Sequence, residues 1–451
     1  MNFLDEIRKN KKEFVKEICE LIKIPSVLEE NPHSKDAPFG KPIRESLDYV
    51  LNLGKKMGFI TKNVGNVSGH IEYGEGSEII GVLCHVDVVP ADGKWKYPPF
   101  SATIEKDKIY GRGAQDDKGP TICSLFALKM IKDLNIKLNK KVRLIIGTDE
   151  ETAWRGISKY LQEEQMPSIG FSPDAEFPLI YGEKGILTFD LVADNVDKKL
   201  KKVVAGKRYN VVPDYAYAIH EDNLKKEYTE YLKEKNKKGR VDTNKLEMFG
   251  KSAHAMMPEA GENAAIELCK FLSEYTNNQL VKFINDKLQD SRCHDMNLNY
   301  TDEEMGDLTM NLGILEINEN KSKLGLNFRY PIHFDSKNFV AEFEKQAVQY
   351  GLKLEFKEDK APHFIDKNSK LVQTLHQSYI KYTGDDKTPI KTIGGGTYAR
   401  AIKNAVAFGI LFPGETELAH QIDEYISIEK AMLASAIIAQ AIVDLGKADE
   451  T

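Results

Sequence analysis

The sequence predicts an α/β fold: a mixed, mostly parallel sheet flanked by helices, interrupted by an inserted α+β domain with ferredoxin-like elements. Three observations predict it. Residues 78–84 and 142–147 are short, nearly unbroken apolar runs, the pattern of strands buried on both faces. Stretches of helical periodicity separate such runs, as in a parallel sheet with crossover helices. Acidic and histidine clusters then stand where the runs end: His85-Val86-Asp87, Asp149-Glu150-Glu151 and Asp174-Ala175-Glu176. Open α/β sheets bind ligands outside the carboxyl ends of their strands.

The elements follow in order. Phe3, Ile7, Phe14, Ile18 and Leu21 recur at helical spacing until Pro25, which predicts one amphipathic helix. A second helix is expected over 42–57, stopping before Gly58. After the strand at 78–84, residues 108–113 read as a strand and turn leading into Asp116. A helix carrying Ile122, Phe126, Met130 and Ile131 comes next, and then the strand at 142–147. Beyond about residue 180 the pattern changes. A strand at 185–193, a helix at 262–276, strands at 309–317 and 324–332, a helix at 339–350 and a strand at 352–356 give the order of a split, ferredoxin-like unit. Residues 195–250 are extra and charged, and their Lys-rich stretch at 233–238 reads as a solvated face or loop. From about 370 come a helix, the Gly394-Gly395-Gly396-Thr397 loop, a strand at 406–412 and a long helix from Ile428. The expected division is 1–181 and 363–451 for the first domain and 182–362 for the inserted one.

With 451 residues the chain exceeds one ordinary core. A net charge of -6 offers no basic footprint, so nucleic acid is not an expected partner. No apolar span is long enough to cross a bilayer, and the first residues lack the pattern of a signal peptide. The five cysteines are scattered and odd in number, which points to a reducing cytoplasm. Cys84, beside His85, alternates to the opposite strand face and reads as core.

The clusters carry the chemistry. Two histidines (His85 and His420) with several carboxylates suit two borderline-hard divalent cations. Asp87 lies two residues beyond His85, on the same side of an extended chain, and can fix the imidazole's tautomer. Asp116-Asp117 opens a helix, where the plainer role is capping; an aspartate there also has two oxygens for two cations. Glu150 and Glu151 are adjacent: a cation on one leaves the other free as a base. The glycine loop at 394–396 lacks the Gly-Lys-Ser/Thr continuation of a phosphate site. His33, His70, His220, His294, His333, His363 and His376 lie outside the motifs and receive no role.

His-Val-Asp-Val-Val-Pro (85–90), Tyr-Gly-Arg-Gly-Ala-Gln-Asp-Asp-Lys-Gly-Pro (110–120) and Thr-Asp-Glu-Glu-Thr (148–152) resemble the signatures of the di-zinc aminoacylase/carboxypeptidase/carnosinase metallopeptidase family. Phe-Ser-Pro-Asp-Ala-Glu-Phe-Pro (171–178) and Gly-Glu-Lys-Gly (182–185) are similar to its dipeptidase V, Xaa-His dipeptidase or carnosinase-like branch. Asp117, where many relatives carry methionine, also fits that branch. The resemblance implies a catalytic domain with an inserted lid domain. It implies two zinc ions, or manganese or cobalt on the same ligands. His85 and Asp174 would hold one ion, Glu151 and His420 the other, and Asp116 would bridge them through a cis peptide to Asp117. Asp87 would orient His85, and Glu150 would be the base and then the acid. His254, in Lys251-Ser252-Ala253-His254-Ala255, would stabilise the oxyanion. Arg329 would bind the substrate's carboxylate, with Asn210 and the backbone of Gly395 as further substrate contacts.

The function these readings imply is a cytoplasmic metallo-dipeptidase, expected to be monomeric. It would act on dipeptides with a free amino terminus, Xaa-His and β-Ala-His among them, under a closing lid. An N-acyl-amino-acid or N-succinyl-diaminopimelate deacylase of the same family is the alternative, and a non-catalytic peptide-binding protein a remote one.

Overall fold

Strand Ile79–His85 has every residue buried, and its neighbours Lys141–Gly147 and Ile169–Ser172 are buried almost throughout. Such strands need helices on both faces. In the computed structural model, which describes residues 2–447, they form the centre of the first of two compact units. That unit comprises residues up to 181, 365–391 and those from 397 on. The second comprises 182–364 with 392–396, so the glycine loop that the expected division leaves in the first domain belongs to the second unit.

The first unit's sheet runs in the order Ile60–Val64, Ser68–Tyr73, Lys141–Gly147, Ile79–His85, Ile169–Ser172, Ala405–Ala407. The four strands from Lys141–Gly147 onward pair in parallel, with Val82 opposite both Leu144 and Phe171. The first two are antiparallel, and Ala407 meets Ile180 antiparallel at the other side. The sheet is therefore mixed, with a parallel centre. Helices Lys118–Asp133 and Ile428–Gly446 are almost wholly buried, as their largely apolar composition requires. The opening helix expected as one piece is two, Phe3–Lys9 and Lys11–Ile22. They are broken at Asn10, whose side-chain amide donates to the Glu6 carbonyl instead of leaving the helix to continue.

The second unit is an eight-stranded antiparallel sheet. Strands Lys353–Lys360, Gly185–Asp194, Lys321–Tyr330 and Thr309–Ile317 lie side by side in the 4-1-3-2 order of a ferredoxin-like sheet. Helices Ala264–Leu272 and Ser336–Val348 supply its two crossovers. Phe189, Phe328, Phe339 and Phe343 form the aromatic centre of its core, with Phe189 and Phe328 stacked 5.0 Å apart. With its Lys-rich stretch at 233–238 forming the expected solvated face, the charged region at 195–250 is built onto the sheet. It extends the sheet by four strands (Leu200–Ala205, Tyr215–His220, Lys238–Asp242 and Lys245–Phe249) and carries helix Lys225–Glu234. Its lysines are mostly exposed, and Lys237 is paired with Glu262 and Glu267.

Candidate metal centre

Three of the four parallel strands of the first unit deliver a part of the site at or just past their carboxyl ends. His85 is the last residue of Ile79–His85, and Asp87 follows it. Glu150 and Glu151 come after Lys141–Gly147, and Asp174 two residues after Ile169–Ser172. Asp116 sits in the turn before helix Lys118–Asp133, and His420 in the loop before strand Tyr425–Ser427.

These side chains converge in two groups that share Asp116. His85 Nε2 lies 3.0 Å from Asp116 Oδ1 and 3.4 Å from Asp174 Oδ2. His420 Nε2 lies 3.1 Å from Asp116 Oδ2 and 3.0 Å from Glu151 Oε2. In each group, His85–Asp116–Asp174 and Asp116–Glu151–His420, the candidate ligand atoms all fall within 4.8 Å of one another. One carboxylate thus turns one oxygen to each group.

Tautomer and charge fit cations there. His85 Nδ1 is 3.1 Å from the main-chain carbonyl of Asp87, an acceptor only, so Nδ1 carries the hydrogen and Nε2 presents its lone pair to the carboxylates. The Asp87 carboxylate stands further off, at 3.5 Å, while its other oxygen accepts from Glu151 N at 3.1 Å. Buried His85 Nε2 and Asp116 Oδ1 have no hydrogen-bond partner. Burial, and then the Asp116 charge, pushes Glu151 up to about 7. Burial also drives Glu150 well above the usual carboxylate range against the pull of His85, with the Asp174, Glu151 and Asp116 charges adding to the rise. Burial would raise Asp116, but the imidazoles of His420 and His85 against it hold it far below that range. Hydrogen bonds to Asp116 and Glu151 raise His420 to about 10. So many carboxylates around two imidazoles call for positive charge, and a nitrogen–oxygen donor set suits divalent zinc, manganese or cobalt.

The neighbouring carboxylates do other work. Asp149, fully buried, binds the Arg155 guanidinium through both oxygens at 2.7 and 2.8 Å. Asp117 does not cap its helix with its side chain; it accepts from His85 N at 2.9 Å. The Asp116–Asp117 peptide is cis.

Three buried residues that sequence reasoning passed over complete the surroundings. Tyr398 packs edge-on against His85, ring centres 5.9 Å apart, and against Trp154 at 5.3 Å. It passes so close to Gly147 that a Cβ there would meet its hydroxyl at 1.9 Å, so the strand must end in glycine. Lys118 is fully buried and donates to the Ile24 carbonyl; burial lowers it to about 7. Glu424 is fully buried and binds the turn that carries Asp116. Lys118 lies inside the 110–120 motif, where no role was read for it; Tyr398 and Glu424 stand in no pattern that local spacing could flag.

Within the second unit, His254, Arg329, Asn210 and the glycine loop form a cluster of their own. His254 bridges to Val211, and Ala255 N donates to the Asn210 carbonyl at 3.0 Å. Met256 N donates to His254 Nδ1 at 3.2 Å, which leaves Nε2–H as the donor of the neutral ring. Burial and the Arg329 charge lower the His254 pKa. Arg329 is buried, with Nε on Asn327 Oδ1 at 2.9 Å and Nη1 on the Gly394 carbonyl at 3.1 Å. A Cβ at Gly394 would strike Met256 Cβ at 2.8 Å, whereas Gly395 has room for one.

Comparison with known proteins agrees with this architecture. Residues 81–444 match peptidase family M20/M25/M40. Over 99% of its length the chain is 42% identical to the whole of "Putative dipeptidase YtjP" of Bacillus subtilis. It is 38% identical to "Putative dipeptidase SH1171" of Staphylococcus haemolyticus, over 98% of both chains. Among solved structures, human carnosine dipeptidase 1 shares the fold with a TM-score of 0.62 at 14% identity, over 98% of each chain. The Dug1p dipeptidase of Saccharomyces cerevisiae does so with a TM-score of 0.61 at 14% identity, over 99% of this chain and 98% of that one. With two candidate ligand groups gathered by its strand ends, turns and loops, and a match over most of its length, the chain belongs to peptidase family M20/M25/M40.

Proposed function

We propose that this member of the family is a two-metal dipeptidase that cleaves short peptides with a free amino terminus. The observation that carries the reading is Asp116, whose two oxygens face two separate groups of candidate ligands. His85 and Asp174 would hold one ion, Glu151 and His420 the other. When bound, two divalent cations, zinc in our reading, lower the pKa of a water and polarise the scissile carbonyl. Glu150, half-buried beside the groups and not needed as a ligand, takes the proton from that water as its oxygen adds to the carbonyl carbon. It then returns the proton to the leaving amine nitrogen as the C–N bond breaks.

Asp87 holds His85 through its main-chain carbonyl and the Glu151 amide through its carboxylate, so one residue orients a ligand from each group. In the second unit, the neutral His254 presents Nε2–H to stabilise an oxyanion. Arg329, its Nε already fixed by Asn327, claims the peptide's carboxylate, with Asn210 and the Gly395 backbone as further contacts. The names of the curated relatives support a dipeptide substrate. All five cysteines are free and buried, which supports the cytoplasmic placement; no helix among the described residues is long and apolar enough to cross a membrane. A monomer is the proposed state.

The test is hydrolysis of a panel by zinc-loaded protein: Leu-Leu, Ala-His, β-Ala-His, Ala-Ala-Ala, N-acetyl-Leu and N-succinyl-diaminopimelate. Cleavage of dipeptides, with the tripeptide and acyl compounds untouched, is expected. Cleavage of an acyl compound alone would make the protein a deacylase and refute the amino-terminus requirement.

A further inference from the structure

Glu424 belongs to none of the motifs, yet its carboxylate makes more hydrogen bonds than most side chains of the first unit. It is fully buried. Oε2 accepts from Arg112 Nη1 at 2.7 Å and from Gly113 N at 3.2 Å. Oε1 accepts from Gln115 N at 2.8 Å and from Asp116 N at 3.3 Å. Its main-chain carbonyl accepts from Gly111 N at 2.9 Å. The turn from 111 to 116 is therefore wrapped around one carboxylate over 300 residues away in sequence.

Further bonds join the same two segments. Arg112 Nη1 also donates to the Gln421 carbonyl at 3.1 Å. The Gln115 side chain donates to the Thr416 carbonyl at 3.2 Å and accepts from Leu418 N at 2.8 Å. The two segments each carry a candidate ligand: Asp116 on one, His420 on the other, 3.1 Å apart. His85 and Asp174, by contrast, hang from strand ends and need no such tie.

We propose that Glu424 is a positioning residue that fixes Asp116 and His420 against each other and so sets the affinity of the Asp116–Glu151–His420 group for its cation. This rests on the reading that the two groups hold divalent cations. Glutamine at 424 keeps the shape but loses the function. Only one of its two terminal atoms accepts, so its NH2 must face either the Gln115 and Asp116 amides or the Arg112 and Gly113 donors. Arg112, itself buried, also loses its counter-charge.

The experiment strips the full-length protein of metal and titrates Zn2+ against a chromophoric chelator. It compares wild type, Glu424→Gln and Gln115→Ala, with circular dichroism to verify folding. Wild type should take up two equivalents. Glu424→Gln should bind one of them about 10- to 100-fold more weakly, the scale on which groups supporting ligands act, and the other with a smaller loss, because that group keeps His85 and Asp174 and shares only Asp116. Gln115→Ala removes two ties between the segments without stranding a buried charge. It should weaken the same equivalent by a smaller factor, and it carries the test should the first variant not fold. A lower melting temperature with both affinities unchanged in the folded variants, or an equal loss at both equivalents, would overturn the proposal. A wild-type chain that fails to bind two equivalents would instead overturn the two-cation reading beneath it.

Discussion

Glu150 tests the chemistry at the scale of one residue. It belongs to neither ligand group. The Glu150→Ala enzyme should keep both metal equivalents and lose about 100- to 10,000-fold in kcat, the usual contribution of a general base; metal analysis and steady-state rates on one sample decide it. Gly147 tests the packing beneath the site. Alanine there would push a methyl into the Tyr398 hydroxyl, so Gly147→Ala should cost about 1–3 kcal/mol in urea unfolding. His70, outside the site, reports on pH. It is buried with Tyr160 Oη 2.9 Å from its Nδ1, and burial lowers it from 6.5 to about 4. Because the folded value is the lower one, the unfolded chain takes the proton first. The contribution of a neutral His70 is intact above pH 6.5 and is lost as pH falls from 6.5 to about 4, roughly 3 kcal/mol in all. His70→Gln should flatten the stability–pH curve across that window, and an unchanged curve would refute the assignment.

Among elements, helix Gln279–Lys287 hangs on one cap. Asn278 accepts from Leu280 N and Val281 N, both at 3.1 Å, while its amide donates to Asn195 Oδ1 and Ser322 Oγ, both at 2.9 Å. Asn278→Ala removes the cap and strands buried partners, so thermal or urea unfolding should show a loss of about 2 kcal/mol or more. This helix also marks a limit of sequence reading. Its short apolar stripe follows closely on another helix, and no motif singles it out. The strands that carry His85 and Glu150 were legible because both of their faces are buried, which leaves an unbroken apolar run. Ile60–Val64 was not, since only Val64 in it is buried. The four strands added between 200 and 249 were hidden for the same reason: lysines, tyrosines and glutamates line their open face. Four of the five candidate ligands were readable because each sits in a short motif; His420 stands alone in the sequence, and only the family resemblance pointed to it. Glu424 and Tyr398 were not readable, because their partners lie more than 200 residues away.

At the scale of the molecule, the two cations proposed above would be part of the stability. Anything that binds the folded chain alone adds RT ln(1 + [L]/Kd), about 2.7 kcal/mol at a hundredfold excess over Kd. Chelation should lower the melting temperature, and added Zn2+ should restore it; equal melting with and without chelator would refute the coupling. The order in which the chain supplies its ligands has a further consequence. His85, Asp116 and Asp174 all lie within the first 174 residues, while the second group waits for His420. A reading frame interrupted anywhere in between still encodes the whole of one ion group and can never encode the other. It also forfeits helix Ile428–Gly446, which is almost wholly buried in the core of the first unit. Nonsense alleles at any codon before 420 are therefore expected to be equivalent nulls, however much of the second unit they preserve.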